Sequence, residues 1–192
     1  DTSAWTTKIY MEDIWLSEAC QFHAAFESCD GVTLRNFIIS GNGLDSGGSN
    51  QAGNVDGIHF TNCRNASIDG ATIDSGDDCV AFTTDANALG ASYVLRAANI
   101  RGQSKEANGV SVTGETGSTT DLYDVQIGSV RFTCSGGTVQ GTAVRVARTN
   151  TEVISQVHVR DVIARTCGAA LQFNTVTDCS ADDITAIDTS GH

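Results

Sequence analysis

One apolar pattern, with gaps of two, three and two residues between its members, recurs along the chain and limits its fold more than any other feature. Its copies read Val32, Leu34, Phe37, Ile39, then Ala66, Ile68, Ala71, Ile73, then Tyr93, Leu95, Ala98, Ile100. Val125, Ile127, Val130, Phe132 and Val157, Val159, Val162, Ala164 continue it, and a degraded copy with Ile184 and Ile187 lies between Asp182 and Thr189. The period is about 30 residues, and the runs are too short and too alternating to be helical repeats. Between the copies sits a second short strand: Ala24-Ala25-Phe26, Ile58-His59-Phe60, Val80-Ala81-Phe82, Val110-Ser111-Val112, Val144-Arg145-Val146 and Leu171-Gln172-Phe173. The outer two residues of each triplet are apolar and share one face, while the middle residue takes the other.

Coils of this kind cannot bury an apolar face alone, but stacked in parallel they enclose one continuous column. The expected fold is therefore all-β, a right-handed parallel β-helix (solenoid) of about six coils, with 1–192 forming a single β-helix domain. Cys29, Cys63 and Cys179 each precede a copy by three residues and are expected to stack as small buried fillers. Asp1 to Trp15 offers little to close the first coil and the last coil is weak, so the ends read as poorly capped. That is expected of a segment of a larger chain or assembly, with flanking coils or neighbouring subunits covering the apolar ends.

Charge narrows the partners. With 11 Lys+Arg against 23 Asp+Glu, the formal net charge of −12 argues against nucleic acid, whose phosphates require clustered cations. No apolar run approaches the roughly 20 residues of a membrane-spanning helix, so no membrane insertion is expected. Seven cysteines without a CxxC pair give no zinc-ribbon or redox signature. Neither cofactor nor metal is implied. Asn65-Ala66-Ser67 is a glycosylation sequon, consistent with an extracellular or surface-associated location.

The middle residues of the triplets, Ala25, His59, Ala81, Ser111, Arg145 and Gln172, should line the outer face of one sheet. Two residues ahead of the triplets runs a further column, Asp56, Asp78, Asn108 and Thr142. Asp56 and Asp78 should thus sit on adjacent coils about 4.8 Å apart at the backbone, with Asp77 beside them. Three acids in one place cannot all ionise without mutual cost, so at least one pKa should rise. A raised acid beside an ionised base is what glycosidic hydrolysis requires. Acids at this spacing also serve as turn residues or calcium ligands. The Gly- and Ser-rich stretch Gly41–Asn50 reads as a loop beside the Asp56 coil.

Asn54-Val55-Asp56-Gly57, followed by Ser75-Gly76-Asp77-Asp78-Cys79-Val80-Ala81-Phe82, resembles the polygalacturonase group, glycoside hydrolase family 28. That group carries an N-T-D segment, a G-D-D-C segment about twenty residues later, and then G-H-G and R-I-K segments. Ala107-Asn108-Gly109 and Arg145-Val146-Ala147 stand where the last two would be. The resemblance implies a pectin-lyase-like right-handed parallel β-helix and hydrolysis with inversion. Asp77 would be the general acid, and Asp56 with Asp78 would activate water. Asn54, His59, Asn108, Ser111, Arg145 and Gln172 would contact the polysaccharide, Arg145 matching the family's sugar-binding arginine.

Two departures stand out. Asn108 replaces the histidine, which removes a proton-handling partner of the acids. Ala147 replaces the lysine, which removes a cation for a uronate carboxylate and widens the field to neutral glycans. Two functions follow: an extracellular polysaccharide hydrolase with Asp56, Asp77 and Asp78 as its machinery, or a non-catalytic β-helix serving as a structural or glycan-binding module of a fibre, tailspike or surface assembly.

Overall fold

The computed structural model of the chain describes residues 4–17, 22–41, 55–105, 107–135 and 141–187. These form long strands β1 (Thr6–Ser17), β3 (Cys29–Ser40), β5 (Arg64–Ser75), β7 (Ser92–Ser104), β9 (Leu122–Cys134), β11 (Ile154–Arg165) and β13 (Ser180–Ile187). Short strands β2 (Phe22–Glu27), β4 (Asp56–Thr61), β6 (Val80–Thr84), β8 (Val110–Gly114), β10 (Thr142–Ala147) and β12 (Ala169–Asn174) alternate with them. The odd strands make one seven-stranded sheet and the even strands one six-stranded sheet, each running in chain order. Every pairing is parallel. The class is the expected one, an all-β parallel β-solenoid.

The three-residue gap has a backbone cause. In β3 the inward residues are Cys29, Val32, Leu34, Phe37 and Ile39. Gly31 (φ 86°) and Asn36 (φ 53°) occupy the two wide gaps in the left-handed region. A left-handed residue swivels the chain, so the side-chain alternation skips one place and resumes on the inner face. The register stacks these corners coil over coil. Asp13, Asn36, Gly70, Asn99, Ser129, Asp161 and Asp183 form one column of positive φ. Asn, Asp and Gly dominate it because they tolerate that conformation best. The corner side chains also bond between coils, as in Asn36 Nδ2 to Asp13 Oδ1 at 3.1 Å and Ser129 Oγ to Asp161 Oδ2 at 2.9 Å.

Inside, Phe26, Phe60 and Phe82 stack with ring centroids 5.4 and 5.1 Å apart, and Cys29 lies over Cys63 through the β3–β5 register. Three expectations need correction. The β7 copy is Leu95, Ala97, Ile100 and Gly102, because Leu95 pairs Ala66 and Ile100 pairs Ala71. Tyr93 instead stacks on Tyr123 at 5.4 Å, one coil on. Gly102 breaks the apolar pattern for want of room: a Cβ there would lie 2.9 Å from Cys79 Sγ and 3.2 Å from the Phe132 ring. The last copy is Cys179, Ala181, Ile184 and Ala186, so Cys179 lies over Val157 and outside the Cys29–Cys63 stack. At the other end, Ile9, Met11, Ile14 and Leu16 of β1 pair Val32, Leu34, Phe37 and Ile39, a further copy ahead of the first one recognised.

Val94 sits in the second corner column at φ 54°, where a β-branched side chain is strained. Val94→Asn is expected to raise stability by about 1 kcal/mol, read as a Tm increase of roughly 2–4 °C. An unchanged or lower Tm would mean that Val94 packing outweighs its backbone cost.

Candidate active site

The short strands set the site. Their pairing places Ala25, His59, Ala81, Ser111, Arg145 and Gln172 in one column. Extended by two residues, the same register brings Asp56, Asp78, Asn108 and Thr142 into line. Backbone bonds carry it: Gly57 N donates to Asp78 O at 2.9 Å, Cys79 N to Asn108 O at 2.9 Å, and Gly109 N to Thr142 O at 3.0 Å. The glycines after Asp56 and Asn108 are required by this close approach. A Cβ at Gly57 would overlap the Cys79 carbonyl, and one at Gly109 would sit 2.6 Å from Ala143 O.

Asp77 and Asp78 occupy the turn between β5 and β6. The Asp77 amide donates to Val55 O at 3.1 Å. Its carbonyl accepts from Ser75 Oγ and Ser104 Oγ, both at 2.7 Å. Those serines are fully buried, so the main chain of the turn is pinned from two coils. Asp78 Oδ1 accepts from Asn108 N at 2.9 Å and from Asn108 Nδ2 at 2.8 Å. Burial and the neighbouring Asp56 and Asp77 carboxylates nonetheless push the Asp78 carboxyl up to about 7. The expected rise in pKa therefore falls on Asp78. Asn108 Oδ1 in turn accepts from Thr142 N at 3.2 Å. The Asn108 amide thus clamps Asp78 between coils, where a sugar contact had been expected.

His59 departs furthest from its expected place on an open sheet face. It is 8% exposed and Asp56 4%. Its Nδ1 lies 2.5 Å from Asp56 Oδ2. Its Nε2 lies 2.8 Å from Thr83 Oγ1 and 3.2 Å from Glu115 Oε1. Burial alone would depress the imidazole, but hydrogen bonds to Asp56 and Glu115 outweigh it and hold His59 at about 9. The same bond holds the Glu115 carboxyl below its ordinary value. Both ring nitrogens face protein groups, which hold the imidazole within the coil stack.

Ala81 and Ser111 are also buried, and Ser111 Oγ has no hydrogen-bond partner among the described residues. These short side chains stand between His59 and Arg145 in the column. Arg145 is half-buried and Gln172 exposed. Arg145 lines a cleft of about 380 Å³ with Thr113, Glu115, Thr149 and Asn150. Asn54 and the stretch 42–50 lie outside the described residues.

Glu115 and Thr83 were not anticipated. Thr83 follows its triplet directly, on the same face as Ala81. Glu115 follows β8 where Asp85 follows β6, since Thr84 pairs Gly114. An acid three residues after two consecutive triplets was the available signal.

A family model described as glycosyl hydrolases family 28 matches residues 3–163. An Arabidopsis thaliana protein named "Probable polygalacturonase" is 22% identical over 152 residues, 79% of this chain and 31% of the relative. Polygalacturonase-2 of Solanum lycopersicum is 28% identical over 91 residues, 47% of this chain and 18% of the relative. The chain therefore spans a third or less of the length of these curated relatives. A solved polygalacturonase from Erwinia carotovora ssp. carotovora superposes with a TM-score of 0.67 at 16% identity, over 96% of this chain and 55% of that one. That likeness is one of fold.

Proposed function

The chain belongs to glycosyl hydrolases family 28, and on that premise we propose that it hydrolyses glycosidic bonds of an extracellular polysaccharide with inversion. The carrying observation is the acid cluster. Asp56 and Asp78 fall in register on adjacent coils, and Asp78 takes on a raised pKa under the charges of Asp56 and Asp77. In this reading Asp56, held against the His59 cation, is the base that deprotonates the attacking water. Asp77, in the form that holds a proton, passes it to the leaving oxygen, which departs as a hydroxyl. Asp78 keeps its proton at mildly acidic pH, so the trio never carries three charges there, and it helps orient the water. An inverting pair needs its two carboxyls far enough apart to admit that water, about 6.5–9.5 Å. Arg145, at the wall of the cleft, supplies a planar fork for a carboxylate or vicinal hydroxyls.

Relatives named as polygalacturonases make polygalacturonate the first substrate to try. At the position expected to carry a lysine, Ala147 is buried and supplies no charge, so neutral glycans belong beside it. Incubation with a panel of pectic and neutral polysaccharides should release reducing ends, and proton NMR of the first product should show the opposite anomer to the bond cleaved. Retention of configuration would remove the mechanism. Tight glycan binding with no cleavage anywhere in the panel would move the protein to the non-catalytic class.

A further inference from the structure

From the cleft that Arg145 and Glu115 line, a charged chain that the acid trio does not account for runs inward. Asp56, His59 and Glu115 follow one another at 2.5 and 3.2 Å, drawn from β4 and from the turn after β8. Neighbouring strands pack against its inner part. Phe22 of β2 presents its ring edge-on to the imidazole with centroids 5.0 Å apart. His23 of β2 donates from Nδ1 to the Asp56 carbonyl at 3.0 Å. Thr83 of β6 bridges to Thr61 of β4 at 3.3 Å. Asp85 repels Glu115 from the turn after β6, and Asp78 faces Asp56 from the next coil. Among the described residues, the ionisable groups in contact with His59 are thus two carboxylates. Only the outer one, Glu115, reaches solvent, with its side chain 46% exposed.

A single carboxylate would leave a buried imidazolium poorly compensated. A second, on the far nitrogen, fixes the ring plane and gives both N–H groups a charged acceptor. We propose that Glu115 and His59 act as a positioning pair for Asp56, Glu115 holding the ring from its far nitrogen so that the near N–H keeps the Asp56 carboxylate aimed. This rests on the hydrolase reading for its purpose but not for its electrostatics. Neither residue touches the reacting atoms: they set the direction of the one that does.

The test separates charge from chemistry. In Glu115→Gln, which keeps an oxygen acceptor and the side-chain shape, the His59 titration midpoint followed by NMR should fall by about one unit or more. In His59→Asn, which retains a donor toward Asp56 but gives Glu115 no partner for its far side, kcat should fall about tenfold or more with KM little changed. A merely structural role would lower Tm and leave kcat in place. An unaltered His59 titrating near 6.5, a midpoint indifferent to Glu115→Gln, or a kcat indifferent to His59→Asn would each overturn the proposal. An unaltered protein that cleaves nothing while His59 titrates as expected would overturn the hydrolase reading, and with it the purpose assigned to the pair, but not the charge arrangement.

Discussion

Replacing Asp77 by asparagine is expected to lower kcat about a thousandfold, within the range a general acid supplies, with KM nearly unchanged and Tm within about 1 °C. Asparagine has the same shape and can still donate a hydrogen bond to the glycosidic oxygen, but it cannot pass a proton to it. The main chain of the position is held in its own right. The Asp77 amide and carbonyl are held by Val55, Ser75 and Ser104, and a side-chain exchange leaves those bonds in place. Loss of activity without loss of stability separates this from a turn residue, which would show the reverse. The comparison that decides the roles is with Asp78→Asn. If Asp77→Asn keeps more than a tenth of the wild-type rate while Asp78→Asn is dead, the proton donor is Asp78, the carboxyl raised by its neighbours. Equal and complete loss in both would leave the trio acting as a unit, since groups that work together are not additive.

The fold was readable because solenoid geometry translates directly into spacing. Triplets at Ile58, Val80, Val110 and Val144 pair in the register that their alternation predicts, and so the columns through His59 and Asp56 follow from counting. Copies failed where amphipathic or small residues imitate or interrupt the pattern. Tyr93 scores as apolar yet faces outward on Tyr123, Gly102 scores as nothing yet lies inside against Cys79, and Cys179 stands in a valine's place. The left-handed corners that cause the three-residue gap carry Lys, Val and Gln as well as Asn and Gly, so composition alone does not mark them. At the site, the sequence places residues on a column but not at a depth. Ser111 and His59 were expected at a surface because strands alternate. Depth depends on what neighbouring coils add, and the turn carrying Glu115 closes over His59 from two coils away. The direction of the pKa shift was foreseeable from three acids at one place. Its assignment to Asp78 was not, because that depends first on how deeply the fold buries that carboxyl.

Stability should fall as pH rises from about 4 to about 9, in two separable stages, and Asp78→Asn should abolish the first. The folded Asp78 carboxyl titrates at about 7 against roughly 3.9 in an unfolded chain. Between those values the folded state holds a proton that the unfolded state has lost, so raising the pH favours unfolding. Above about 7 the effect of this group is complete. His59 works in the next window. Its folded value of about 9 exceeds the unfolded value of roughly 6.5, so its stabilisation is fully present below 6.5 and is lost as pH rises through 9. Each stage is on the order of a few kcal/mol, or several degrees in Tm for a chain of this size. Asparagine at 78 keeps the oxygen that accepts from Asn108 N and Nδ2 and carries no charge to repel Asp56 or Asp77. The variant should therefore melt higher than wild type at pH 8, match it near pH 4, and decline only above about 6.5. Parallel curves for the two proteins from pH 4 to 7 would show that the raised carboxyl lies elsewhere. A more stable but inactive Asp78→Asn would mean that the folded chain sustains an unfavourable charge where the chemistry needs it, as is common for sites that evolve under a stability threshold.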